Sequence, residues 1–287
     1  MPLSGLKQFR LWLESFPAEQ KLPLIQEFLR GIDDPEKRAL TEIFLIQGQL
    51  ETRKQIVVLI HGILSHGVWQ ERLVHMFAEA DIEAHAIGFG YLDILTFWSP
   101  VFTRKSSIKR VLRELRNLRA ANPTADISVV AHSYGTYIIS RILGEEMDIK
   151  IHRLQLCGSI LPQDYRWDKA LAGVTGTVVN DVGTDDIWPV MAKLASWGYG
   201  VSGTFGFKTI RVIDRFHPCS HNDFFKEEHV KAYWLPFLIY GQVVRSKWTQ
   251  ERPDPGLGIT LLSWLPLKTI VGIIASIWLS YKVVSYF

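Results

Sequence analysis

The chain has 287 residues, of which 47% are apolar and 21% charged, and its net charge is +3. This length can bury a full core, enough for one α/β domain with extensions or for two small domains. The balance excludes a disordered chain and a polytopic membrane protein, and so small a charge gives no ground for nucleic acid as a partner. Two cysteines, Cys157 and Cys219, are too few for a disulfide framework and lack metal-ligand spacing. The first residues show no continuous apolar run leading to a small-residue cleavage site, so no secretory signal is expected. Sparse cysteines fit a reducing compartment.

Residues 1 to about 50 read as short amphipathic helices. Leu22, Leu24, Ile25, Phe28 and Leu29 recur near helical spacing. A further helix is expected to start at Asp34-Pro35, with Asp as cap and Pro in the first turn. No chemical motif falls here, and the expectation for residues 1–53 is a helical extension that caps the main domain.

From residue 55 strands and helices alternate. Expected strands are Gln55 to Ile60, Ile82 to Phe89, Ile127 to Ala131, His152 to Ile160, Thr175 to Val182 and Lys208 to Ile213. Expected helices are Trp69 to Ala80, Ser106 to Ala121, Tyr134 to Glu146, Ile187 to Trp197, and Asn222 to about Val244, bent or broken near Pro236. Apolar strands separated by helices imply an α/β fold, a predominantly parallel sheet flanked by helices. Right-handed crossovers bring every strand's C-terminal end to one edge, where ligands bind.

One of those strand ends stands out. An apolar β-branched run stops at Ser133 in Ala131-His132-Ser133-Tyr134-Gly135, and a helix follows at once. This is a G-x-S-x-G elbow with Ala131 at the first glycine position. Such a strand–turn–helix lifts a serine hydroxyl to the tip of the sheet. Serine is a weak nucleophile unless a base stands beside it, and the base needs an orienting carboxylate. Histidine suits the base because its ordinary pKa lies near the working pH.

The strand ends carry, in chain order, His61-Gly62-Ile63-Leu64, then Ser133, then Asp181 through Asp186, then His217 or His221. From about residue 54 to 244 this order resembles the α/β-hydrolase superfamily, and most of all its lipase- and esterase-like serine hydrolases. The resemblance implies Ser133 as nucleophile, His221 in His-Asn-Asp-Phe-Phe as base, and Asp185 in Asp-Asp-Ile-Trp-Pro as acid. His217 is the second candidate for the base. Asp186 is the second for the acid, with a helix-capping role assigned to it otherwise. Asp181 and Asp164 are outside candidates for the acid. The oxyanion hole falls to the amides of Tyr134 and of Ile63, with Leu64 as runner-up. No metal or cofactor is implied. Residues Gly88 to Arg104 are rich in aromatics and follow a strand at the active edge, where they serve as the wall of an acyl cleft or as ordinary packing.

The C-terminus adds a membrane question. Residues 246–258 read as a linker and 259–287 as a hydrophobic helix, with no charge between 269 and 281. A helix from about Pro266 to Phe287 would be roughly 30 Å long, the hydrocarbon thickness of a bilayer. Gly272, Ser276 and Ser280 form a ridge of small residues on which another helix can pack, giving an oligomer. Spanning, lying in the interface and docking on the protein's own core all stay open. Arg245, Lys247 and Arg252 precede the tail and favour the cytoplasmic side for the catalytic domain. The expected function is a membrane-associated serine hydrolase acting on a lipid-like or other hydrophobic ester. Acyl transfer to an alcohol, or a binding scaffold with a vestigial triad, are the alternatives.

Overall fold

The structure is a computed structural model. It describes residues 9, 12–13, 16, 18–35, 38, 41–42, 54–62, 68–80, 82–87, 104–248 and 253–266. The chain divides into two compact units, Met1–Lys54 and Gln55–Phe287. In the first, helix α1 (Ala18–Arg30) puts Ile25 and Leu29 with Leu13 into a small core, and the Phe9 and Phe28 rings stack 4.0 Å apart.

In the second unit, among the described residues, six strands form one parallel sheet. They are β1 (Gln55–Ile60), β2 (Glu83–Ile87), β3 (Asp126–His132), β4 (Leu154–Cys157), β5 (Val178–Gly183) and β6 (Ile213–His217). Their spatial order is β2-β1-β3-β4-β5-β6. Helices follow the strands: α2 (Val68–Glu79), α3 (Arg104–Ala121), α4 (Tyr134–Glu145), α5 (Trp167–Leu171), α6 (Trp188–Ala195) and α7 (Ser202–Phe205). After β6, α8 runs through three consecutive pieces, α-helical Glu227–His229, a π-helical turn Val230–Trp234, and α-helical Leu235–Tyr240.

The strand order decides which helix lies where. The step from β1 to β2 goes one way along the sheet, and every later step goes the other way. A right-handed crossover therefore puts α2 on one face and the later crossover helices on the opposite face. The packing agrees. Val57 and Leu59 of β1 meet Leu73 and Phe77 of α2, with Val230 and Trp234 of α8. Ile56, Val58 and Ile60 meet Val111 of α3 and Ile138 and Ile142 of α4. Burial on both faces explains why β1 is a continuous apolar run rather than an alternating one. The direction reverses between β1 and β3, so the crevice of an open α/β sheet opens at the ends of those two strands. Gly62 and Ser133 stand there.

Three departures from the sequence-based expectation have a clear physical reason. The last strand is Ile213–His217 rather than Lys208 to Ile213. Ile210 is fully exposed, and Lys208 donates its amide to the Gln163 carbonyl instead of to a strand. The true strand, Ile-Asp-Arg-Phe-His, is polar because buried partners satisfy it: Asp214 takes the Asn180 side-chain amide at 2.8 Å, and Arg215 pairs with Asp181. Near Pro236 the final helix does not break. Proline lacks the N–H that an α-helix needs at that point, and the π turn immediately before it absorbs the mismatch. At the C-terminus, Ser246 is buried and donates to the Phe216 carbonyl, so the chain is still held on the domain where a linker was expected to begin. Helix α9 (Leu257–Trp264) then stops at Leu265, which is extended before Pro266. A continuous helix over 259–287 is thereby interrupted, and residues 267–287 lie outside the described residues. Among the described residues no helix is long and apolar enough to cross a membrane.

The face of the sheet under α8 is clamped by one buried carboxylate. Asp181 accepts from Arg215 Nε at 2.6 Å and Nη2 at 3.0 Å, from His229 Nε2 at 2.9 Å and from Trp234 Nε1 at 2.7 Å. Arg215 also donates to Gln155 Oε1 and to the Val244 carbonyl, and stacks over Tyr233. The cluster thus ties β4, β5, β6, α8 and the segment after it. Burial alone would raise the Asp181 pKa, but Arg215, with His217 and His229, holds it well below the usual carboxylate range. A depressed carboxylate stabilises the fold above its unfolded pKa and loses that contribution as pH falls toward its folded value. Arg215→Met should therefore cost about 3–5 kcal/mol in denaturant unfolding at pH 7, because it strands a buried charge. The difference from the native chain should shrink as pH falls toward about 4, where the stranded Asp181 is protonated. A loss that did not change with pH would contradict this account.

Candidate active site

The site is built on the turn between β3 and α4. Ser133 has φ 53° and ψ −119° and is the one non-glycine residue with positive φ among the described residues. Such a conformation costs on the order of 1–3 kcal/mol and persists only where its surroundings enforce it. Here the Ser133 amide donates to the Cys157 carbonyl at 3.1 Å, and Thr136 Oγ1 donates to the Ser133 carbonyl at 2.6 Å. Gly135 lets α4 approach β1, since a Cβ there would overlap the Ile60 carbonyl oxygen. Gly62 brings the end of β1 against the serine, since a Cβ there would stand 2.9 Å from Ser133 Oγ. The turn thus needs both glycines, and Ala131 suffices at the first position of the elbow.

Across the edge, His221 follows β6 and Asp186 follows β5. Asp186 is fully buried, and its Oδ2 lies 2.7 Å from His221 Nδ1. Its Oδ1 accepts the Trp188 amide at 3.0 Å, and Thr204 Oγ1 donates to its carbonyl at 2.7 Å. Asp186 therefore does two jobs: it ties down the start of α6 and it orients the histidine. A carboxylate on Nδ1 fixes the ring so that Nε2 is the basic nitrogen.

Asp185, the expected acid, is exposed. A turn closes from the Asp186 amide to the Gly183 carbonyl at 3.0 Å, and Asp185 sits at its tip while Asp186 turns inward. The partner of His221 is Asp186. The other candidates are also separated. His217 is buried, 3.6 Å from Asp181, and both belong to the clamp under α8 rather than to the serine turn. The ligand atoms of Asp181, His217 and His229 lie within 4.8 Å of one another, a metal-like spacing. The two Asp181 oxygens, however, already accept four donors, two of them from the Arg215 cation, so a positive charge occupies the place a metal ion would take. Tyr134 is buried as the first residue of α4, where helix amides point outward from the N-terminal end. Ile63, Leu64, His66 and residues 88–103 lie outside the described residues.

Two contributors were not foreseen from the sequence. His132 is buried, its Nε2 lies 3.1 Å from the His221 carbonyl, and its ring centre lies 4.3 Å from that of His221. Burial, with the neighbouring His221, pushes its pKa well below the usual histidine range, so it is a neutral ring that donates from Nε2 and packs against the candidate base. Gly158, just after β4, has φ +54°, and a Cβ on it would lie 2.8 Å from His221 Cε1 and Nδ1. The only trace of this in the sequence is a glycine at a strand's C-terminal end. Gly158→Ala should push the His221 ring off Asp186. The low-field proton resonance of the Nδ1–H bonded to Asp186 should be present in the native chain and absent in the variant, with far-UV circular dichroism unchanged. Survival of that resonance in the variant would show that the glycine does not seat the ring.

No protein-family model matches the chain, and no curated protein matches it. Solved structures do. A protein from Xanthomonas campestris pv. campestris described as a "putative hydrolase of the alpha/beta superfamily" is 14% identical, over 66% of this chain and 97% of that one, with a TM-score of 0.42. A cold-adapted esterase from an Arctic intertidal metagenomic library is 15% identical, over 66% and 80%, with a TM-score of 0.41. An esterase of Pyrococcus furiosus is 12% identical, over 63% and 79%, with a TM-score of 0.36. The sheet order, the two helical layers and the strained serine turn at the switch between β1 and β3 are this chain's own evidence: it has the α/β-hydrolase fold.

Proposed function

We propose that the chain is a membrane-associated serine hydrolase that cleaves a hydrophobic, lipid-like ester through an acyl-enzyme on Ser133. The observation that carries the proposal is the Asp186–His221 pair at 2.7 Å on the strand edge that also bears the Ser133 turn. His221 Nε2 takes the Ser133 proton as Oγ bonds to the ester carbonyl carbon. The tetrahedral intermediate then expels the alcohol, which His221 protonates. Water enters and gives a proton to His221 as its oxygen bonds to the acyl carbon; the second tetrahedral intermediate breaks the acyl–Oγ bond, Ser133 Oγ takes the proton back from His221, and the acid leaves. Asp186 stabilises the imidazolium that forms in each half. The Tyr134 amide supports the developing oxyanion, and Ile63 is the proposed second donor. The ester class rests on the sequence of the tail, whose uncharged, largely apolar residues 269–281 suit a protein held at a lipid surface. Lys and Arg before the tail favour the cytoplasmic side for the domain, and the small residues Gly272, Ser276 and Ser280 suit association of two such helices.

Hydrolysis of a chromogenic short-chain ester tests the assignment. Ser133→Ala should lower kcat by about 10⁴-fold or more, and Asp186→Asn by about 10³–10⁴-fold, since the amide leaves His221 in the wrong tautomer. Asp185→Asn should change the rate by less than about twofold, as expected of an exposed turn residue. Equal losses at 185 and 186, or native turnover by Ser133→Ala, would reject the triad.

A further inference from the structure

Helix α9 turns an apolar side outward. A helix on the surface of a soluble domain turns charged and polar residues outward. Leu257–Trp264 carries no charged residue, and its outward side is Leu257, Gly258, Leu261 and Trp264. Leu257 is 83% exposed, Leu261 60% and Trp264 73%. The inward side is mixed, with Ser263 buried and Ile259, Thr260 and Leu262 half-buried. The helix is held on the domain: α9 packs against α6, and Lys193 Nζ donates to the Ser263 carbonyl at 2.8 Å.

Helix α6 carries apolar exposure of its own. Ile187, Trp188 and Met191 are all exposed at its start, and the Trp188 ring lies 6.2 Å from that of His221. Two neighbouring helices therefore present large apolar side chains to the outside, and the nearer of them borders the candidate base. Single exposed apolar residues are ordinary on a protein surface, but clustered ones mark an interaction site. The segment C-terminal to α9 indicates the partner. Residues 267–287 begin three positions after the helix ends and contain Lys268 and Lys282 as their only charges. Tryptophan and leucine at the entry to such a segment suit the headgroup boundary of a bilayer.

We propose that the outward faces of α6 and α9 dock on a phospholipid bilayer. The mouth beside His221 is then held at the lipid surface, and the ester passes from the bilayer to Ser133 without crossing bulk water. This inference rests on the membrane-associated reading above and adds to it a specific docking face.

The test uses the full chain with Cys219→Ser, bound to vesicles of phosphatidylcholine with a minority of phosphatidylglycerol. One variant carries a fluorophore on Leu261→Cys, another on Met147→Cys. Met147 is 90% exposed between α4 and β4, at the opposite edge of the sheet. Quenching by a doxyl-labelled lipid should be about threefold or more stronger at position 261 than at 147, and quenching by iodide weaker. A probe at 261 that iodide reaches as readily as the one at 147 overturns the docking face. So does a probe shielded from both quenchers, since the tail or a second copy then covers the helix. Failure of the chain to float with vesicles sinks the membrane reading itself, which separates the two failures. As a functional check, Leu257→Glu/Leu261→Glu should lower turnover of a vesicle-borne ester about tenfold or more while leaving a water-soluble ester unaffected. Equal turnover of the vesicle-borne ester by native and variant chains would count against the docking face.

Discussion

The constraint on which the candidate site depends is the close packing around the turn at Ser133. A residue with a side chain is held at φ 53° where β3 passes into α4. It stays there because α4 presses against β1 through Gly135 and because Gly62 leaves room for the serine hydroxyl. Those contacts come from strands that are distant in sequence and adjacent in space. The parallel sheet, with β1 next to β3, is therefore a precondition for exposing the hydroxyl, and the reversal of strand order at that point opens the crevice in front of it.

Two carboxylate–histidine groupings lie on β5 and the turn after it, and their surroundings separate their roles. Asp181 meets His229 and His217, but Arg215 and Trp234 saturate its oxygens, so the group is a buried clamp. Asp186 has a single histidine partner and an amide, and its histidine, His221, is more accessible and stands against His132, the residue before Ser133. A carboxylate already neutralised by arginine has little field left to offer an imidazolium. One without a cation beside it is suited to that task. The clamp still serves the site, because it fixes β6 and α8, the two elements between which His221 is carried.

Much of this is legible from the amino acids. Strands buried on both faces are written as continuous β-branched runs, and the expected bounds of β1 and β3 agree with the structure to within a residue or two. The serine turn, the order of acid and histidine, and His221 over His217 follow from motif and position. What is not legible depends on tertiary partners. Strand β6 looks too polar, because the groups that satisfy Asp214 and Arg215 come from β5. Asp185 and Asp186 are adjacent, and only the closing of a tight turn after Gly183 decides which points inward. His132 and Gly158 act through the ring of His221, a contact between segments more than 60 residues apart. The outward apolar side of α9 cannot be read from an uncharged segment, since sequence alone does not say which side meets the domain.

The central claim is that Ser133 is a nucleophile activated by His221 and Asp186. A fluorophosphonate probe reads this directly, because it bonds to an activated serine and leaves ordinary serines untouched. In the native chain the probe should attach to the peptide containing Ser133, with the attachment slowed in Asp186→Asn and abolished in Ser133→Ala. A native chain that stays unlabelled, or a Ser133→Ala chain labelled to the same extent, would contradict the account.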